Sequence, residues 1–170
     1  MSLDAHKRTV GLAVGGLQLD PGGFGKGYAV ERMVELLRAQ GVEAAMVSGG
    51  SSTLYGIGAP PDEPQGWRAD ICDPKDRGRV VETVYLRDES LSTSGSYEKS
   101  FTVGVVVYSH IMDPCTGMPA EGTLAVSVLA ASAFYIEVWS TALFVNGAEK
   151  VPEGLRAFFC AEGEICGWLD

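Results

Sequence analysis

Asp20-Pro21-Gly22-Gly23-Phe24-Gly25-Lys26-Gly27-Tyr28-Ala29-Val30-Glu31 places four glycines and a lysine directly ahead of a helical pattern. Val30, Met33, Val34 and Leu37 fall at i, i+3, i+4 and i+7, which predicts a helix with one apolar stripe on a core and Gly41 as its stop. Its other face carries Glu31, Arg32, Glu35 and Arg38. Glycine permits φ > 0 and close backbone approach, and the free N–H groups of a helix start favour an anion, so this junction can cradle a phosphate. A tight turn before a helix is the commoner reason for such a stretch. Lys26 is followed by Gly27 where a P-loop needs Ser or Thr, and the glycines do not make the Gly-x-Gly-x-x-Gly of dinucleotide folds.

The chain has 170 residues, 46% of them hydrophobic, enough for one folded domain. It carries 13 basic and 22 acidic side chains, a formal charge of −9 that repels a nucleic-acid backbone. A phosphate-bearing ligand must then be held by backbone amides, a few cations or a metal that screens the acidic field. Cys72, Cys115, Cys160 and Cys166 contain no Cys-x-x-Cys pair, and His6 and His110 lie outside zinc-like spacing, which argues against zinc. The cysteines are too few to read as a disulfide framework and are expected as small buried apolar residues. Leu124–Ile136, the longest strongly apolar run, is shorter than the roughly 20 residues of a membrane-spanning helix and reads as core. Lys7 and Arg8 ahead of Thr9–Leu17 only faintly imitate a signal peptide, and the glycines there predict a strand and turn.

Outward from the glycine-rich stretch, Thr9–Val14 and Leu17–Leu19 suggest a hairpin around Gly15-Gly16. Ala44–Ser48 reads as a buried strand, Ala59–Pro64 as a surface loop, and Trp67–Cys72 and Val80–Leu86 as alternating strands around a turn-rich segment. Leu91–Tyr97 and Ser109–Pro119 read as site loops, flanking a strand through Val103–Tyr108. Leu124–Leu129 predicts another strand, Ala133–Asn146 a second helix ended by Gly147, and Leu155–Cys160 with Glu164–Leu169 a closing hairpin. Runs of strands punctuated by two principal helices predict an α+β fold with mainly antiparallel strands.

On the second predicted helix Glu137, Ser140 and Thr141 lie at i, i+3 and i+4, so their oxygens share one face. Such oxygens suit a hard cation, and Mg²⁺ takes one or two carboxylates and completes its octahedron with waters and substrate phosphates. Hydroxyls that bond back to the helix, with Glu137 reaching solvent, explain the same residues without a metal. His110 and Asp113 share a loop in which imidazole and carboxylate can serve proton transfer or hold a ligand, although Asp113-Pro114 with Thr116-Gly117 is also ordinary turn chemistry.

Taken in order, Leu19–Glu31, Val47-Ser48-Gly49-Gly50, Ser92–Tyr97, Ser109–Pro119 and Glu137–Leu143 resemble the ApbE-like family of FAD:protein FMN transferases, over about Thr9–Lys150. The resemblance implies an ApbE-like, T-fold-like core in a single domain spanning 1–170, forming the C-terminal part of a longer family architecture. It implies Mg²⁺-dependent movement of the FMN half of FAD onto a Ser or Thr hydroxyl of a target flavoprotein, with release of AMP. Alternatives in the same frame are Mg²⁺-dependent hydrolysis of FAD to FMN and AMP, or an inactive flavin- or nucleotide-binding module. Carried onto matching positions, it implies a metal held by the Gly25 carbonyl, Glu137 and Thr141, with Ser140 nearby. Lys26, Ala29 and Glu31 would lie beside FAD, Glu31 toward the adenosine sugar, while Ser94, Gly95, His110 and Met112 would line the flavin and pyrophosphate site. His110 or Asp113 would assist deprotonation of the acceptor. Glu137 stands where the family usually has Asp. Members of the family are often exported or membrane-associated in bacteria.

Overall fold

The structure is a computed structural model describing residues 1–97, 100–103, 106–147, 151–163 and 166–169. Its centre is a six-stranded antiparallel sheet built from β3 (Ala45–Ser48), β4 (Thr53–Ile57), β7 (Glu89–Gly95), β10 (Thr123–Ala130), β11 (Arg156–Ala161) and β12 (Gly167–Leu169), in the order β12-β11-β10-β7-β4-β3. Helices α1 (Gly25–Ala39) and α2 (Ala133–Asn146) pack on one face. The hairpin of β5 (Trp67–Cys72) and β6 (Val80–Leu86) covers the other. Two further antiparallel hairpins are β1 (Ser2–Asp4) with β2 (Thr9–Gly11), and β8 (Ser100–Val103) with β9 (Val106–Ser109). The α+β class, with mostly antiparallel strands and two helices, is as the sequence implies.

The apolar pattern distributes itself over the two faces. Leu91, Ala125, Leu129 and Phe158 meet Ala69, Ile71, Val84 and Leu86 of the hairpin. Val126 and Val128 turn the other way, onto Ile136, Leu143 and Phe144 of α2. Val30 and Val34 of α1 pack on Val47, Tyr55 and Ile57 of β3 and β4, and on Ala133. Each of these three clusters contains side chains with no more than a few per cent exposure, so burial of apolar area ties both helices to the sheet.

Both helix ends follow from local chemistry. Gly41 has φ 79°, and Val42 N–H donates to the Leu37 carbonyl at 3.1 Å, which closes the end of α1. Ser132 caps α2, its hydroxyl accepting from Tyr135 N–H at 3.1 Å, and Gly147 ends that helix with φ 75°.

Several expectations need correction. The first hairpin pairs Thr9–Gly11 with Ser2–Asp4, because Asp4 Oδ1 accepts from the amides of His6 and Lys7 at 3.1 and 2.9 Å and closes a turn at residues 5–8. Leu91–Tyr97, read as a loop, lies largely within the central strand β7, and Thr53–Ile57 forms a strand the pattern did not reveal. Cys160 and Cys166 form a disulfide across the β11–β12 turn, while Cys115 is exposed and Cys72 half-buried, so the cysteines are not four buried apolar residues. The expected strand through Val103–Tyr108 is two strands, with 104 and 105 outside the described residues; Lys150, and Glu164 at the expected start of the last strand, lie outside them as well.

Candidate functional site

The glycine-rich stretch does not use left-handed backbone: Gly22, Gly23, Gly25 and Gly27 all lie outside the positive-φ region. Its turn is closed instead by Asp20 Oδ1, which accepts from Gly22 N–H at 2.8 Å, and by the Pro21 carbonyl, which accepts from Phe24 and Gly25 N–H at 3.0 and 2.7 Å. α1 then starts without a side-chain cap. What glycine supplies at Gly27 is close approach. A Cβ there would overlap the Ala133 carbonyl oxygen of α2 and lie 2.7 Å from Glu137 Oε2, so the two helices cross where α1 carries no side chain.

This crossing fixes Glu137. Its side chain is 3% exposed, and Oε2 accepts a hydrogen bond from the Gly27 amide. Oε1 lies 2.9 Å from Lys26 Nζ in an ion pair, outside hydrogen-bond alignment. Among the described residues it is the buried side-chain oxygen or nitrogen left without a hydrogen-bond partner. The expectation that Glu137 reaches solvent is therefore overturned, whereas Ser140 and Thr141 do bond back to their own helix, as the metal-free reading of α2 expects.

Below the carboxylate, hydroxyls from two elements meet. Ser94 Oγ of β7 lies 2.9 Å from Ser140 Oγ and 3.2 Å from Thr141 Oγ1, and both helix hydroxyls also donate to the Glu137 carbonyl, at 3.0 and 3.3 Å. Ser92 and Thr53 continue the chain inward at 3.5 and 3.4 Å. This is why β7 is small and polar: its alternate residues Ser92 and Ser94 face α2 within reach of the Ser140 and Thr141 hydroxyls, and Thr53 of β4 reaches them through Ser92.

A cleft of about 800 Å³ opens above this floor. The glycine-rich turn forms one wall through Asp20–Gly23, Gly25 and Lys26; Ser92–Gly95 of β7 form another; His110–Met112 close a third; Glu137 and Thr141 face it from α2. Eight of the sequence-expected site residues line it: Gly25, Lys26, Ser94, Gly95, His110, Met112, Glu137 and Thr141. Ser140 lies beneath, fully buried. Ala29 is exposed on α1 and does not line the cleft.

Asp113 is also outside the lining; its Oδ1 accepts from Cys115 N–H at 2.7 Å, and its backbone bonds Met118 and Gly117 to close the loop that carries His110. Glu31 is engaged within the protein. Its Oε2 accepts from Ser132 Oγ at 2.6 Å and from Phe134 N–H at 2.9 Å, so it secures the start of α2. Ser92, Thr93 and Ile111 also line the cleft; they lie in the segments the sequence marks as site loops but are not singled out there.

A second cavity, of about 540 Å³, lies by the β5–β6 turn and is lined by Asp73, Lys75, Arg79, Leu124 and Cys166. Its ionic groups are largely self-paired: Asp73 Oδ2 accepts from the Arg79 guanidinium at 2.9 Å, which holds the Asp73 carboxyl below its ordinary range. It lacks the converging hydroxyls and orphan carboxylate oxygen of the larger cleft. No group of three or more His, Cys, Asp and Glu side chains converges among the described residues, so a cation at the larger cleft would rely on one carboxylate, hydroxyls and carbonyls. Among the described residues no helix is long and apolar enough to cross a membrane.

The geometry has counterparts in known proteins. The family model described as "ApbE family" matches residues 1–160. A FAD:protein FMN transferase of Treponema pallidum is 36% identical over 159 residues, covering 88% of this chain and 44% of the relative. One from Salmonella typhimurium is 34% identical over 143 residues, covering 82% of this chain and 40% of the relative. The crystal structure of the ApbE protein of Thermotoga maritima superimposes with a TM-score of 0.80 at 29% identity, over 89% of this chain and 51% of that one. The apo flavinyl transferase ApbE of Pseudomonas stutzeri matches at 0.67 and 32%, covering 89% and 48%. The chain therefore spans about half the length of the relatives it matches.

Proposed function

Because the chain belongs to the ApbE family, we propose that its larger cleft binds FAD and that the protein transfers the FMN moiety to a Ser or Thr hydroxyl of an acceptor flavoprotein, releasing AMP. The observation that carries this reading is the buried Glu137 carboxylate, with Oε1 lacking a hydrogen-bond partner at the floor of an oxygen-lined cleft. A buried anion calls for a cation at this oxygen, a place that the Lys26 ammonium takes in the structure and that a metal ion would take in the loaded site.

The donor set fits magnesium: one carboxylate from Glu137, the Thr141 hydroxyl and the Gly25 carbonyl are hard oxygens, Ser140 lies just beneath them, and the open cleft leaves room for phosphate oxygens. When bound, the ion supplies neutralisation of the charge that develops across the pyrophosphate. The protein's own share is positioning. The Gly27 amide holds Glu137, Ser94 orients the Ser140 and Thr141 hydroxyls, and Lys26 places a cation on the cleft wall. Lys26 and the backbone around Ser94 and Gly95 face the substrate's phosphates, with Met112 against its apolar part.

In the transfer, the acceptor hydroxyl oxygen bonds to the FMN phosphorus and the bridging P–O bond breaks, AMP taking the electron pair. The hydroxyl proton passes to His110 on the cleft rim, while Asp113 holds that loop in shape. An acidic protein can hold FAD in this way because the contacts are local amides, one lysine and a screening ion.

Incubation with FAD, MgCl2 and an acceptor domain should yield UV-fluorescent acceptor after denaturing electrophoresis together with stoichiometric AMP. AMP no higher than that of the Glu137→Ala protein would overturn the reading. AMP released without an acceptor identifies hydrolysis instead, and FAD retained without turnover identifies a binding module.

A further inference from the structure

Lys26 and Glu137 form an unequal pair. The Glu137 side chain is 3% exposed and pinned by the Gly27 amide, whereas the Lys26 side chain is 45% exposed. One partner is fixed and buried; the other is a flexible four-carbon arm whose charged end reaches in from the cleft wall. The pair shares a single carboxylate oxygen, Oε1, because Oε2 is committed to the backbone.

We infer that Lys26 is an internal competitor for the metal position, a tethered ammonium that a divalent cation must displace from Glu137 Oε1. The inference rests on reading the cleft as a metal-assisted transferase site. A divalent ion bonded to Oε1 sits about 2 Å from that oxygen, and Lys26 Nζ stands 2.9 Å from the same oxygen. Two cations so placed repel one another across a site with one carboxylate to screen them. Leaving the buried carboxylate unpaired is strongly destabilising, so exchange is the route that never strands it. The ammonium leaves into the cleft that Lys26 already lines, where anionic substrate oxygens are its natural partners. Lys26 thus raises the metal concentration at which the site loads and, once displaced, gives the loaded cleft an additional cation.

The test is a Mn²⁺ titration of the whole chain without nucleotide, with bound and free ion counted by electron paramagnetic resonance. Lys26→Met, which keeps the stem and removes the charge, should bind Mn²⁺ about tenfold tighter, within the usual range of coupling between two sites. Lys26→Arg, whose fork grips a carboxylate more firmly, should bind it more weakly than the wild type, and Glu137→Gln should abolish the site. In EDTA the Lys26→Met protein should unfold at a lower temperature than wild type, and saturating Mn²⁺ should raise its midpoint by more. Equal or weaker Mn²⁺ binding by Lys26→Met, or no binding by any variant, overturns the exchange. If Lys26→Met does not fold, Lys26→Arg binding as tightly as wild type overturns it alone. Because the titration contains no FAD, AMP release by the wild type reports separately on the transferase reading.

Discussion

Gly27 and Glu137 are joined at two levels: the Gly27 amide donates to Glu137 Oε2, and the missing Gly27 side chain is what lets α2 come close enough to accept. The first prediction follows from the second level. Gly27→Ala gains about 1 kcal/mol of helix propensity. Against this, the new methyl group overlaps the Ala133 carbonyl, a backbone atom that no rotamer change can move aside. The helices must separate, and overpacking of this kind costs about 1–3 kcal/mol. The substitution should therefore destabilise the protein by up to about 2 kcal/mol net in urea unfolding and weaken Mn²⁺ binding at the same time, since Oε2 loses its amide. Unchanged stability would mean that the crossing has slack.

The sequence revealed this region in outline and concealed its logic. Helix α2 spans Ala133–Asn146, and the strands Trp67–Cys72 and Val80–Leu86 occupy the ranges their patterns predict, because apolar burial and terminal turns are local signals. β4 and β7 escaped. Thr53, Ser92 and Ser94 stand on the face covered by α2, where a hydrophobic pattern would have marked a strand, and their hydroxyls are satisfied by one another and by Ser140 and Thr141. Such partners come from distant parts of the chain and leave no periodic trace. The same holds for the site: spacing puts Glu137, Ser140 and Thr141 on one face, yet nothing local links Glu137 to Gly27, 110 residues away. The glycines announced a special backbone; their service at Gly27 is to be small.

Asp73 provides a pH signature away from the cleft. Its side chain is 8% exposed, and the Arg79 guanidinium, with the Lys75 amide at 2.7 Å, holds its carboxyl below the ordinary carboxylate range. A group whose pKa is depressed on folding binds its proton less readily in the folded state, so it contributes stability above the unfolded pKa, near 3.9. That contribution disappears as pH falls through the folded value. Thermal midpoints of wild type and Asp73→Asn should therefore differ most at pH 5 to 7 and converge toward pH 2. A gap that stays constant across this range would assign the loss to shape and not to charge.

Glu31 should behave as part of the fold. With Ser132 Oγ and Phe134 N–H both bonded to its Oε2, it completes the cap of α2 from the neighbouring helix. Carboxylate hydrogen bonds contribute about 1.5–3 kcal/mol when buried, and Glu31 is half-buried, so Glu31→Ala should cost about 1 kcal/mol, the usual loss for a missing cap. Denaturant midpoints measure that loss. FAD titration of the same variant under strongly stabilising conditions should leave affinity unchanged. A large loss of FAD affinity with normal stability would return Glu31 to the adenosine sugar.

Thr141 separates the shape of α2 from its chemistry. Its hydroxyl lies 3.2 Å from Ser94 Oγ, donates to the Glu137 carbonyl at 3.3 Å, and faces the cleft. Thr141→Val keeps the branched outline, and because the hydroxyl is half-buried and returns to its own helix, stability should change by less than about 1 kcal/mol. The proposed ligand is lost, and losing a polar group that supports a metal typically costs 10–100-fold in affinity or activity. Steady-state AMP release should therefore fall by about that factor, with a higher Mg²⁺ concentration needed for half-maximal rate. Thr141→Ser, which restores the oxygen without the methyl group, should recover most of the activity. If valine and serine variants are equally active, the hydroxyl is structural, and the cation at Glu137 must draw its other oxygens from the Gly25 carbonyl, substrate and water.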